Sequence, residues 1–497
     1  MHRCIYLALC GILFPVLAGA QGAEYLARQA LEGNVARLSD PLHDDSLARD
    51  AAALMAGLGL TLAAPINPEP AGQAFEPGTG AVIELVDIRL LLTRIAVQAG
   101  AQDHTALIRA QGDRDHDVIL LRGGLVELRD LLTLAQGTPA EAFLSQTAEG
   151  LVLTRPLAIW DDAGLALGAG DTVVLDRPSG SFVANLGRIA VAGGTIRGSA
   201  AANGPEPAFR PFVLTAGQGS FTALGARFST LGFDASAVFG GIAVVNSGLV
   251  ETRLPSFIRD STISDVASVA LVGTRGSSVA GNRIIGSAGT AVLLSHATDV
   301  LVTDNRFSDL TGASGIRVTA KSNAIRISGN RLTQGARIGI LVDGGSGMVT
   351  LSGNVVLGSE TSGIAVRTAD CITVADNLVA MNQGTGISLT DTDISTVGAN
   401  AILFNHGSGI LLRDQASSAT VRVAGNVFAG NRDGLRGATA GLVELDGNNL
   451  DGQLPRIFAG DLAPLAVDWL RHRRDPVPAA QPVAAPVPAA CDHGGNG

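Results

Sequence analysis

The chain is poor in aromatic residues, poor in cysteine and nearly devoid of lysine. Phe, Trp and Tyr make up 4% of its 497 residues, too few for a large globular core of the usual kind, which relies on aromatic bulk. Lys321 is the only lysine, and the formal net charge is −10. An acidic, lysine-poor surface argues against nucleic acid or an anionic membrane as the partner. It would repel a polyanionic sugar too, unless arginines were gathered along one groove. Of four cysteines, Cys4 and Cys10 lie in the first ten residues, and no Cys/His spacing suggests a metal site. Cys371 sits in a strand-like Cys-Ile-Thr-Val run and Cys491 in a Pro/Ala-rich tail, so the expectation is a buried small residue and an unpaired thiol, not a disulfide.

What the chain has in abundance is glycine, 63 residues, with Val, Ile, Leu and Ala. That mixture suits a thin core of stacked aliphatic side chains. Residues 1–20 read as a signal peptide: Arg3, an apolar run from Cys4 to Leu17, then Ala18-Gly19-Ala20. The run is short for a membrane span, so the expectation is export to the periplasm, with no membrane span in the mature chain. Residues 21–116 form an N-terminal region. Helical spacing occurs in Glu24–Leu38 and Asp45–Leu58, a Pro/Gly-rich linker follows in Ala64–Gly80, and Val82–Gln98 fits a helix or a strand.

From residue 117 to 455 the pattern changes to short alternating runs bounded by Gly, Asn, Asp and Ser. Asn282, Asn305, Asn330, Asn354, Asn377, Asn400, Asn426 and Asn448 recur at intervals of 22 to 26 residues. A second register agrees with the first: Gly315-Ile316, Gly339-Ile340, Gly363-Ile364, Gly386-Ile387, Gly409-Ile410 and Gly434-Leu435, at intervals of 23 to 25. Such a period gives three short strands and three turns per coil, each strand pairing with its equivalents about 4.8 Å above and below. The chain is therefore expected to be all-β, a right-handed parallel β-helix. The isoleucines would stack as an interior ladder and the asparagines as a ladder of turn amides. Leucine-rich repeats share the period but need leucines at offsets where this chain has none. Residues 456–474 would supply a helical cap over the open edge of the last coil, and 475–497 a disordered tail.

In such a fold chemistry sits on outward positions, one per coil. Two rows qualify: Arg317, Leu341, Ala365, Ser388, Leu411, and Thr319, Asp343, Arg367, Thr390, Arg413. His296 and His406 are the only histidines of the repeats, and His296 has Asp299 close by in sequence, a candidate pair for proton transfer. Clustered aspartates for glycoside hydrolysis and an acidic cluster for calcium-dependent elimination are both missing from these rows.

The chain resembles a known family over residues 118–451. Leu153-Thr154-Arg155-Pro156-Leu157, Ser179–Asn185, Phe209-Arg210-Pro211-Phe212, Leu231–Ser236 and Gly241-Ile242-Ala243-Val244 precede the Asn and Gly-Ile repeats. That ordered series is similar to the periplasmic mannuronan 5-epimerases of bacterial alginate biosynthesis. The resemblance implies a β-helix acting on a uronate polysaccharide without a cofactor, in contact with secretion-complex proteins. Epimerisation at carbon 5 needs a cation on the carboxylate, a base, and a proton donor on the opposite face of the ring. The family carries these in an Asp-Pro-His-Asp motif; here the coil reads Val292-Leu293-Leu294-Ser295-His296-Ala297, with both aspartates and the proline gone. Ser314 stands where the family has histidine, Gly344 where it has arginine, Lys321 near a basic position, and Asp343 on an acidic one. The expected site therefore comprises His296 and Asp299 for proton transfer, with Arg317, Lys321, Arg337, Asp343 and Arg367 binding substrate. Catalysis is expected to be weak or lost, the alternatives being an active epimerase with a rebuilt site and a non-enzymatic scaffold.

Overall fold

The computed structural model describes residues 26–38, 46–68, 80–100, 104–111, 116–200, 209–233, 236–246, 254–472 and 491. The expected signal peptide, most of the expected Pro/Gly-rich linker and the expected disordered tail apart from Cys491 lie outside the described residues. The chain from Asp117 onward winds into a right-handed parallel β-helix with three faces. One repeat illustrates the coil: Ser314–Thr319 on the first face, Asn323–Ser328 on the second and Arg331–Thr333 on the third, after which Ile338–Val342 returns to the first.

The two sequence registers become two structural ladders. Ile316, Ile340, Ile364, Ile387 and Ile410 lie in direct parallel register and are fully buried. Glycine precedes each because neighbouring coils close in there. A Cβ on Gly363 would sit 2.5 Å from Val379 Cγ1 and 2.7 Å from Asn382 Nδ2, inside van der Waals contact. At the turn from second to third face the asparagines stack. The amide nitrogen of Asn354 donates to Asn377 Oδ1 at 3.0 Å, and the Asn377 amide donates to Asn400 Oδ1 at 2.9 Å. The same oxygens accept a backbone N–H of the preceding rung, so buried turn groups are satisfied coil by coil. A second stack, Asn382, Asn405, Asn431 and Gln453, follows the same rule at the turn into the first face.

The N-terminal region is wrapped onto the β-helix. Val82–Gln98 resolves into both elements: strand Val82–Asp87 pairs antiparallel with Asp117–Arg122, and helix Ile88–Ala99 follows, capped by the Asp87 side chain accepting from the Arg89 N–H. That helix packs through Ile88, Leu91, Leu92 and Ile95 on the outside of the first face. The helices over residues 26–38 and Leu47–Gly57 cross to the third face, where Val35, Leu47, Ala51 and Met55 meet Val355, Leu357, Leu378, Leu403 and Phe404. The outward row explains the choice of place. On the third face Arg283, Arg306 and Arg331 give way, in register, to Val355, Leu378 and Ala401. An apolar outer strip needs a cover, and an amphipathic helix pair supplies it. At the other end, helix Leu465–His472 lies over the last coil, with Trp469 packed against the core.

One expectation is corrected. Cys371 and Cys491 form a disulfide, with Cα atoms 5.6 Å apart and Cys491 buried. The two cysteines are 120 residues apart in sequence, a separation at which no local pattern announces the pairing.

Candidate functional site

The first face divides into a covered and an open half. Its outward row runs in register through Leu120, Ala158, Ala184, Leu214, Ala243 and Ala270 to Leu293, then Arg317, Leu341, Ala365, Ser388, Leu411 and Arg436. Up to Ala270 this row is buried under helix Ile88–Ala99 and an aromatic cluster. Phe182 stacks on Phe212 at 4.6 Å, and Phe239 and Phe209 flank Phe212. The cluster ends at Leu293; on the coils beyond it the described N-terminal helices pack against the third face and not the first.

Along the open half the second outward row continues through Ser295, Thr319, Asp343, Arg367, Thr390 and Arg413. Arg317 donates to Asp343 through both Nη2 (2.8 Å) and Nε (3.4 Å), a two-point ion pair between adjacent coils. Arg436 donates to Asp433 Oδ2 at 2.7 Å, and the other oxygen of this buried carboxylate has no partner among the described residues. Arg367 is exposed and has no ion pair among the described residues; Arg413 is half-exposed and rests on Asp414 at 3.1 Å. Arg337 and Arg432 are exposed at the turn leading into this face, and Lys321 is exposed at the turn leaving it. Leu341, Ala365 and Ser388, though they face outward, are buried, and Leu341 and Ala365 pack with Ile338 into a small apolar floor separate from the core. The corner toward the second face is acidic, with Asp370, Asp391 and Asp393. Asp391 accepts from the Thr368 hydroxyl, and Asp370 accepts the backbone N–H groups of Cys371 and Ile394.

The candidates for proton transfer are not brought together. His296 has left-handed backbone geometry (φ 51°) and is exposed, and its Nδ1 lies 3.3 Å from the Ser295 hydroxyl. Asp299 lies past the turn, on the second face, and pairs there with Arg326 at 3.4 Å. Among the described residues the Ser295 hydroxyl is the polar side-chain partner of His296. Arg317 and Asp343 are brought together, Arg367 continues their strip, and Lys321 and Arg337 border it. Sequence reasoning missed Arg432 and Arg436 as members of this strip; the Gly434-Leu435 register contained them.

Comparison with known proteins fits this geometry. A family model described as "Periplasmic copper-binding protein (NosD)" matches residues 246–448. The described residues do not suit copper: His296 and His406 are the only histidines in that span, Cys371 is oxidised, and no group of three His, Cys, Asp or Glu could hold a metal ion. No curated protein sequence matches the chain. Among solved structures, the periplasmic alginate epimerase AlgG is similar with a TM-score of 0.69 at 17% identity, over 78% of this chain and 99% of that one. The A-module of the Azotobacter vinelandii mannuronan C-5 epimerase AlgE4 is a more distant likeness, with a TM-score of 0.40 at 13% identity over 72% of this chain and 89% of that one. The chain thus shares with the periplasmic alginate epimerase, over almost the whole of the latter's length, the right-handed parallel β-helix.

Proposed function

We propose that this protein is exported to the periplasm and binds a uronate-containing polysaccharide along the open half of its first face, with 5-epimerase turnover weak or lost. One observation carries the reading. In a chain of net charge −10, Arg317, Lys321, Arg337, Arg367, Arg413, Arg432 and Arg436 collect on or beside one face, against Asp343, Asp414 and Asp433 within it and Asp370, Asp391 and Asp393 at its corner toward the second face. Guanidinium groups recognise carboxylates through paired N–H donors, and a strip of them attracts a polyanion that the rest of the surface repels. The shared β-helix and the periplasmic location in the names of its structural and family matches support both the compartment and the polymer.

Weak or absent turnover follows from what the site lacks. Inversion at carbon 5 needs a base on one side of the ring and a donor on the other. The polar side-chain partner of His296 among the described residues is the Ser295 hydroxyl, and Asp299 is engaged on another face. A second reading keeps the protein an active epimerase, with His296 as base and Arg317, Lys321 or Arg337 neutralising the carboxylate; the exposure of His296 just where the covered half of the face ends favours it. Calorimetric titration with polymannuronate, polyguluronate and a neutral glucan tests binding. Uronate polymers should bind and weaken steeply as salt rises, because the contacts are screened. Failure of every uronate polymer to bind at low ionic strength would overturn the proposal.

A further inference from the structure

Charge on the open face varies from coil to coil. Arg317 and Lys321 belong to one coil, Asp343 to the next, Arg367 to the third, Thr390 to the fourth and Arg413 to the fifth. Arg317 is neutralised by Asp343, and Arg436, on the sixth coil, by Asp433. Arg367 has no ion pair among the described residues, and Arg413 pairs only with the exposed Asp414 at 3.1 Å, a solvated contact that leaves both guanidinium groups open to solvent at the strip's centre. They stand two coils apart in direct register through Thr390, a separation of about 10 Å, twice the inter-strand spacing. Between them lie the half-buried Thr390 and the nearly buried Ser388, beside the small side chain of Ala365.

We propose that Arg367 and Arg413 are paired carboxylate subsites that hold alternate sugars of an extended 1,4-linked uronate chain, with Ser388 and Thr390 facing the sugar between them. A pyranose ring in an extended ribbon advances by roughly one coil height, and a two-fold ribbon turns every second carboxylate to the same edge. Alternate carboxylates therefore recur at the spacing of the two arginines. An extended acidic peptide does not match, since its side chains return to one edge every 7 Å or so. The arrangement rests on the polyuronate reading above and adds to it the register, the direction along the helix axis and the minimal ligand, a trisaccharide.

The test uses the full chain and a series of oligomannuronates from two to eight sugars, titrated into wild type, Arg367→Gln, Arg413→Gln and the double variant. Arg422→Gln, on the second face, is the control, and thermal unfolding monitors folding of all five proteins. The trisaccharide should bind about tenfold more tightly than the disaccharide, the worth of one charge-assisted pair. Either single variant should abolish that step, and the double variant should lose no more trisaccharide affinity than the weaker single plus one further charge contact. Oligouronate binding without the step, or with the step intact in both single variants, overturns the paired subsites and leaves the polyuronate reading standing. Absence of any uronate binding removes both. Tighter binding of a polyglutamate peptide than of oligouronates of equal charge would overturn the assignment in favour of a protein ligand.

Discussion

Replacing Asn377, a central rung of the asparagine stack, should expose how much of the coil's stability resides in its turn amides. The side chain is fully buried and makes five hydrogen bonds. Its oxygen accepts from the backbone and side-chain nitrogens of Asn354 at 2.8 and 3.0 Å, and its nitrogen donates to Leu351 O, Ala375 O and Asn400 Oδ1 at 2.8 to 2.9 Å. Asn377→Ala strands the Asn354 backbone N–H, whereas the Asn354 side chain keeps Ile327 O and Asn400 Oδ1 keeps the Asn377 N–H. One orphaned buried donor costs about 1–3 kcal/mol, and the void left by the amide raises the total to about 2–4 kcal/mol. Asn377→Asp retains the acceptor but sets a carboxylate oxygen against three oxygens, a worse result at neutral pH. Because the buried acid would hold its proton more tightly folded than unfolded, that penalty should shrink as pH falls. Asn448→Ala, at the partly exposed last rung, should cost under about 1 kcal/mol since water replaces the lost acceptor. Urea unfolding read by circular dichroism, with amide exchange at Asn354 to detect local opening, measures all three. A loss below about 1 kcal/mol for Asn377→Ala, or an Asp variant as stable as wild type at neutral pH, would refute the reasoning.

Three other outcomes follow from the geometry. Burial raises the Asp376 carboxyl above its ordinary 3.8, so the stability it contributes is complete below that value and lost as pH rises through the folded-state value; Asp376→Asn should therefore raise the urea midpoint at neutral pH and leave it unchanged at pH values near or below 3.8. Peptides containing Cys371 and Cys491 should stay linked in a non-reducing digest and separate on reduction; two free thiols in protein freshly purified without reductant would contradict the pairing. His296→Ala should change stability by no more than about 0.5 kcal/mol, since the ring is exposed. It should also leave polymannuronate affinity within about twofold, because the arginines carry the carboxylate contacts; a larger loss would point to the rebuilt catalytic site.

The coil was legible in the sequence because its physics is local and repetitive. A fixed coil height obliges Ile316, Ile340, Ile364, Ile387 and Ile410 to recur in step, and the glycine before each is forced by the close approach of the next coil. The second amide stack was equally present, Asn382, Asn405 and Asn431 at intervals of 23 and 26, but lay in the shadow of the first. Docking of the N-terminal helices could have been anticipated from the outward row of the third face, where arginines change to Val355 and Leu378. What sequence could not show was pairing across long separations. Cys371 and Cys491 pair across 120 residues, and Asp299, three residues from His296, is carried by one turn to a different face and a different partner. Proximity along the chain is a poor guide to proximity on a coil, where a corner intervenes every few residues.

The central claim is that the open first face binds a polyuronate without turning it over efficiently. Proton NMR of polymannuronate with the purified protein in deuterated buffer addresses both halves in one sample. The account predicts saturation transfer from protein to sugar protons, lost in the Arg367→Gln/Arg413→Gln variant, with the carbon 5 proton signal persisting. Guluronate signals, or loss of the carbon 5 proton at rates of about 1–1000 per second, would contradict it and establish an active enzyme; absence of saturation transfer from a folded protein would contradict it from the other side.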